Sequence, residues 1–439
     1  MKNYWLKSGF LTLLEKGSGM VFAFGTAVLL LRGLSKAEFA AWGLFTLITY
    51  FVEMGRSGLI QNGLVKFLTN AKDADEYGKI STASLALNLG FTALVVLFLA
   101  TGGGWIADYF DFPELKTLLP IYLVTNVVMV FFFHFNFVQQ ANLRFTGIFW
   151  STFFYRGALF ATVVWQFFFF DKRLIITDLA WSMCLGAIIG AVVGFFFSKK
   201  LLAFGKPDMG WVSRLAGYGK FVLGTNLATQ FYKNADKMAL GKILGPSAYA
   251  VYDAAGKITQ MVEVPSFSIA AIVFPQSARR METEGTAGVK WLYEKSVGAT
   301  LALIFPAVVA TIVFAEPIIL FFAGPGYEAS AGILRLTAFF GLFMPYAVQF
   351  GTILDSTGRP ATNFGYTLFT AVLNLVLSIF FIKTFGLFGA AVATLVGYFI
   401  SFLLMQRRLK IDFSINWLAP IRYAFGFYQQ VFKRLTANG

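Results

Sequence analysis

The sequence predicts an all-α integral membrane protein with twelve transmembrane helices, arranged as two six-helix lobes around a central cationic cavity. Three observations predict it. Of the 439 residues, 57% are hydrophobic and only 13% are charged, with a mean hydropathy of +0.68. A soluble domain holds roughly 45–50% apolar and about 25% charged residues. Apolar runs of about 20 residues, enough to cross a bilayer, recur along the whole chain. Charged side chains nevertheless fall inside several of these runs.

The first run follows Lys2, Tyr4, Trp5 and Lys7 and stays apolar to Leu31. A cleavable leader would end sooner, at a small-residue site. The run therefore reads as a retained helix with aromatic residues at the membrane interface. The expected spans are 9–31, 39–65, 80–101, 117–139, 147–169 and 176–198, then 218–241, 247–275, 293–315, 331–355, 361–382 and 386–406. The connections are too short for a sizeable soluble domain. The segment 199–217, with Lys199, Lys200, Gly205 and Pro207, reads as a cytoplasmic linker between lobes 1–198 and 218–406. The tail 407–439 sets Trp417, Ile421, Phe425, Tyr428 and Phe432 against Arg422, Lys433 and Arg434. It is expected to lie on the inner leaflet or to dock a partner.

The basic residues test this count. With the N-terminus inside, 21 of the 36 lysines and arginines fall in cytoplasmic segments, 7 in outer loops and 8 within spans. Such a bias obeys the positive-inside rule and places both termini in the cytoplasm. A shift of 210 residues lays the second span on the eighth. Leu34, Ala40, Thr49, Val52 and Glu53 then fall on Leu244, Ala250, Thr259, Val262 and Glu263, with Trp42 on Tyr252. Six spans per half start both halves on the same side, so the repeat is parallel, about a pseudo-two-fold axis along the membrane normal. Paired repeats of this kind build transporters with substrate sites between the halves.

The charges within spans are the candidate site. A charge at the centre of a spanning helix costs about 2.5–3.5 kcal/mol, so five or six facing lipid would cost on the order of 15 kcal/mol. They must face one another or a hydrated interior. The basic set is Lys16, Arg56, Arg156, Lys233, Lys237 and Lys257; the acids are Glu15, Glu53, Asp236 and Asp253, with Glu263 as a further candidate. Lys233, Asp236 and Lys237 share one helix face by their spacing, as do Asp253 with Lys257 and Glu53 with Arg56. The last two pairs read either as internal pins or as substrate groups. Asp236 cannot neutralise both Lys233 and Lys237, and Arg156 has no acid in its own span. The surplus of cations predicts a pocket for an anion. Arginine offers planar recognition of phosphate and lysine a point charge.

Other chemistry is excluded or weak. Cys184 and His134 are the only residues of their types, so no intrachain disulfide and no cysteine-based zinc site can form. His134 reads as a structural histidine, since no partner for a proton relay is visible. No phosphate-cradling loop, nucleophile elbow or dinucleotide fingerprint is present. The net charge of +14 is spread over short loops and helix interiors. That suits membrane lipids and anionic substrates rather than nucleic acid. Pro265, Pro306 and Pro345 interrupt three spans, where a helix could bend.

Several segments resemble the bacterial polysaccharide and O-antigen flippases, in the superfamily that includes multidrug extruders and lipid II flippases. They are Tyr232 to Asp236, Leu240 and Gly241, Gly245 to Tyr252, Phe274 and Pro275, Gly326 to Ala329, Gly358 and Arg359, Gly386 to Ala391, and Glu53 to Gly58. The resemblance implies two V-shaped lobes around a central cavity. It also implies movement of an undecaprenyl-pyrophosphate-linked oligosaccharide from the inner to the outer leaflet. Coupling would be to H+, Na+ or the membrane potential, without ATP or another cofactor. In this reading Arg56, Arg156, Lys233, Lys237, Lys257 and Lys16 bind the anion, and Glu53, Asp236, Asp253 and Glu15 couple or pair. The protein would act as a monomer, with a glycan polymerase or other assembly proteins as partners. The alternatives are a multidrug or small-solute antiporter of the same fold, which needs an acidic cavity, and a membrane-embedded glycan polymerase or ligase, which needs a long periplasmic loop.

Overall fold

The computed structural model describes residues 2–170 and 173–437; side chains of 2–13, 16, 221, 225, 232, 262, 271, 275 and 430–437 lie outside the description. Fourteen helices and no strand occur among the described residues. The chain divides into two compact units, 1–230 and 231–439.

The first unit holds α1 (Lys2–Gly33), α2 (Lys36–Thr69), α3 (Ala74–Phe110), α4 (Leu115–Ala141), α5 (Phe145–Phe169), α6 (Ile176–Ser198) and the first part of α7 (Met209–Leu244). Its helix ends follow from local chemistry. Ser35 and Glu38 form a reciprocal capping box at α2, which satisfies backbone N–H groups that the helix itself cannot. Asp73 caps α3 by accepting from the Glu76 N–H, and Asp111 ends α3 in the left-handed conformation. Small residues then set the packing, as expected where lipid leaves close van der Waals approach to drive association. Gly186, Gly190 and Gly194 of α6 face α5, and the Ser151 hydroxyl donates to the Gly190 carbonyl at 2.7 Å. A Cβ at Gly58 would lie 2.8 Å from Leu223 Cα, so α2 and the start of α7 meet backbone to backbone.

The segment 199–217 packs within this unit. Tyr77 Oη donates to the Leu201 carbonyl at 3.0 Å, and Gly205 N donates to Thr82 Oγ1 at 3.0 Å. Leu215 is fully buried with Ile60, Leu64 and Phe137. The division between units falls at Gln230/Phe231, inside α7.

The second unit contains the rest of α7, then α8 (Pro246–Val313), α9 (Ala315–Phe322), α10 (Ala329–Phe340), α11 (Met344–Ser356), α12 (Pro360–Phe385), α13 (Leu387–Phe413) and α14 (Ala419–Ala437). The expected spans 247–275 and 293–315 are one helical run broken at Gly285 (φ 64°, ψ −150°), a conformation that glycine tolerates. The expected span 331–355 is a bent pair, α10 and α11, meeting at 42°. Val289, Tyr293, Val297, Phe350, Ile353 and Leu409 centre the core of this unit. The tail helix α14 packs on α8, where a Cβ at Gly298 would lie 2.7 Å from the Pro420 carbonyl oxygen.

By length and composition, seven described helices can cross a membrane, or nine if each bent pair is one span. This defines a multi-pass membrane protein. The twelve expected spans are more than this measure returns. The helices α2 and α7 are not among the seven, and both carry charged groups at mid-length.

Candidate functional site

Each unit holds one polar cluster inside apolar helices. In the first, α2 supplies Glu53 and Arg56, a turn apart. Glu53 Oε1 accepts a hydrogen bond from Tyr155 Oη of α5 at 3.0 Å. Arg56 is 0% exposed. Its Nη1 donates to Asn88 Oδ1 of α3. Its Nη2 donates to Asn126 Oδ1 of α4 and to the Asn126 carbonyl at 3.2 Å. The guanidinium also lies 5.7 Å from the ring centres of Phe91 and Phe133. The pair expected from the spacing of Glu53 and Arg56 is not closed to ion-pair distance among the described residues; each side chain is held from another helix instead.

Arg156 of α5 is exposed and lies across Gly19 of α1, where any Cβ would collide with its Nη1. The sequence shows no counter-charge for Arg156 within its own span. On the neighbouring helix α2, Glu53 bonds the preceding residue, Tyr155. Glu15 is partly buried on α1. The side chain of Lys16 lies outside the described residues.

In the second unit, α7 presents Lys233, Asp236 and Lys237 to the first third of α8. Lys237 is buried and its Nζ lies 2.6 Å from Asp253 Oδ1. Lys257 Nζ lies 3.7 Å from Asp253 Oδ2, one helical turn along α8. Lys233 Nζ lies 3.5 Å from Glu263 Oε2 and 5.0 Å from the Phe267 ring centre. Asp236 forms no ion-pair contact with either lysine among the described residues; its carboxylate accepts from the Lys237 backbone N–H at 2.8 Å, from Tyr252 Oη at 2.6 Å and from Thr394 Oγ1 at 3.2 Å. The expectation that Lys233 and Lys237 lack counter-charge is thereby corrected. Asp253 and Glu263 provide it across the helix pair, so three lysines meet two carboxylates here.

The two clusters share an asymmetry of access. The Lys257 side chain is 35% exposed against 3% for Asp253, and Lys233 is 34% exposed against 16% for Glu263. Arg156 is exposed while Glu53 is partly buried. In these three cases the cation is more exposed than the acid, whereas Lys237 and Arg56 are themselves buried.

Sequence reasoning missed the hydrogen-bonding partners. Asn88 and Asn126 were detectable as lone amides inside apolar runs. Tyr155, Tyr252 and Thr394 carry no such signal, because tyrosine and threonine are ordinary in membrane helices.

The fold and these clusters define a helical, multi-pass membrane protein with charged clusters between its helices. Solved structures agree on the fold. A lipid II flippase, MurJ, in an inward closed conformation superposes with a TM-score of 0.79 at 14% identity, covering 99% of this chain and 93% of that one. An inward-facing multidrug resistance MATE family transporter of the MOP superfamily gives 0.76 at 14% identity, covering 91% and 98%. Residues 29–332 match the family described as polysaccharide biosynthesis protein, and the chain belongs to that family. It is also 24% identical over 239 residues to a probable low-salt glycan biosynthesis flippase, Agl15, of Haloferax volcanii, over 54% of this chain and 50% of that protein. The chain spans about half the length of the curated relatives it matches.

Proposed function

We propose that this protein flips an undecaprenyl-pyrophosphate-linked oligosaccharide, the repeat unit of an O-antigen, capsule or exopolysaccharide, from the cytoplasmic to the periplasmic leaflet. The observation that carries this reading is the access asymmetry: Arg156, Lys233 and Lys257 are reachable, whereas Glu53, Glu263 and Asp253 lie behind them. Family membership and the similarity to a probable glycan biosynthesis flippase of Haloferax volcanii support it.

The geometry suggests how the charges act. Lys233 and Lys257 sit at 3.5 and 3.7 Å from their acids, at the long end of ion pairing, while Lys237 holds Asp253 at 2.6 Å. A diphosphate can therefore draw Lys233 and Lys257 toward itself, replacing two long contacts to their acids. Lys237 stays and holds Asp253 in place. Glu263, once released by Lys233, is free to take up H+ or Na+, which links substrate binding to an ion gradient without ATP. Arg56, fully buried, braces α2 against α3 and α4.

In this reading the lobes 1–198 and 218–406 alternate access, joined by 199–217, and the tail 407–439 rests on the inner leaflet. The protein works as a monomer in the bacterial inner membrane with both termini in the cytoplasm, beside a glycan polymerase. The same fold serves multidrug transport, but a cation exporter needs accessible acids, and here they are the buried partners. Arg156→Ala and Lys233→Ala are each expected to abolish surface glycan at normal protein level. Unchanged surface glycan in both variants overturns the proposal.

A further inference from the structure

A line of buried polar atoms without partners runs along the seam between α3 and α4. On α3, Ser81, Ser84, Asn88 and Thr92 follow at spacings of three and four, which places them on one face. On α4, Asn126, Val130 and His134 do the same. Asn88 Nδ2 donates to the Val130 carbonyl at 3.1 Å, which sets the antiparallel register. Ser84 then lies level with His134, and Thr92 level with Asn126. All of these polar side chains are at most 4% exposed.

The hydroxyls of Ser81, Ser84 and Thr92, both His134 ring nitrogens, Asn126 Nδ2 and Arg56 Nε have no hydrogen-bond partner among the described residues. Buried polar groups are paired in the great majority of cases, with protein or with ordered water. An unpaired one costs about 1–3 kcal/mol. Seven such atoms in one seam would cost as much as the whole stability of a marginally stable fold, about 5–15 kcal/mol.

We propose that this seam is an internal water-binding site, a file of ordered water molecules from His134 to Arg56. Water is the ligand that fits the atoms present. Arg56 Nε and Asn126 Nδ2 donate, the hydroxyls donate and accept, and one imidazole nitrogen accepts while the other donates. An anion would leave the imidazole acceptor unpaired, and a cation would meet the Arg56 guanidinium. The stretch from Ser81 to Thr92 covers about 16 Å of helix, and a bound water there takes two to four of these polar partners.

The file begins beneath the linker. His134 stacks on Phe204 at 6.3 Å, and the adjacent Gly205 is bound at both its N–H and its carbonyl by Thr82. The file ends at Arg56, where it hydrates a guanidinium whose other donors are taken by Asn88 and Asn126. It therefore gives solvent access to the centre of the first unit without opening its helices.

The test needs no transport assay, so its outcome is separate from that of the flippase proposal. Full-length protein in nanodiscs is exposed to brief X-ray hydroxyl-radical labelling, which modifies side chains beside bound water even when they are buried. After correction for intrinsic reactivity, His134 is expected to label at least about fivefold faster than the equally buried Phe45, because bound water is the radical source. Equal rates overturn the proposal. The thermal midpoint of Ser84→Ala supplies a second sign. Removing an unpaired hydroxyl from a dry seam stabilises, whereas removing a water ligand destabilises. A fall in midpoint is expected; a midpoint that holds or rises overturns the proposal.

Discussion

Lys237 Nζ and Asp253 Oδ1 lie 2.6 Å apart with both side chains at most 9% exposed, and this contact ties α7 to α8 inside the apolar interior of the second unit. Its partner Lys257 reaches the other Asp253 oxygen from a more open position. One carboxylate thus serves a fixed lysine and an exchangeable one.

Breaking the fixed contact should cost stability first. Lys237→Met leaves Asp253 buried with only the 3.7 Å contact to Lys257, and stranding a buried charge costs about 3–5 kcal/mol. The double variant Lys237→Met with Asp253→Asn removes both charges and should regain most of the loss. Thermal unfolding in detergent checks both. Equal midpoints for wild type and Lys237→Met would show that the pair contributes nothing.

The exchangeable lysines should behave in the opposite way. Reversing the pair, with Lys233→Glu and Glu263→Lys together, keeps the attraction across α7 and α8. Membrane level and melting temperature should stay near wild type while surface glycan is lost, since the accessible charge is now negative. Normal glycan in this variant would place recognition elsewhere.

Arg56 should resist its nearest substitute. A lysine cannot span Asn88 and Asn126 with a planar fork. Arg56→Lys should destabilise by about 1–3 kcal/mol, as expected for a lost buried hydrogen bond. Denaturant or thermal titration reads this directly, and the loss should appear without any substrate.

Arg156 should depend on a residue it does not bond. A side chain at Gly19 occupies the place of the Arg156 guanidinium. Gly19→Val should lower surface glycan while Gly17→Val, where a Cβ meets nothing within 4 Å, should not. Comparing glycan with protein level in the two variants separates displacement of Arg156 from general damage to α1.

The close packing of α2 on α7 gives a test of the first unit alone. A Cβ at Gly219 collides with the Leu59 carbonyl, and at Gly217 it meets open space. Gly219→Val should destabilise by about 1–3 kcal/mol through overpacking, with Gly217→Val near neutral. Protease resistance of the purified protein ranks the two.

The membrane class, the order of the helical segments and the positions of charge within them are all legible in the amino-acid sequence. Composition and apolar run length suffice for this, because lipid imposes one rule on every segment. The run from Lys233 to Lys237, the pair Asp253 and Lys257, and the bend between α10 and α11 all fall within expected spans, whereas the break at Gly285 falls where a connection between two spans is expected. Helical spacing also places those charges correctly on shared faces.

The tertiary structure alone decided which charges meet. Spacing of three or four says that Glu53 and Arg56 share a face, yet Tyr155 holds one while Asn88 and Asn126 hold the other. It says the same of Asp236 and its lysines, yet Asp236 turns to Tyr252 and Thr394. Glu263 reaches Lys233 across two helices. The physical reason is that a helix fixes the direction of a side chain but not what stands opposite. In a low-dielectric interior the partner across the interface decides whether a charge is a brace or a binding group, and that partner is placed only when the helices pack.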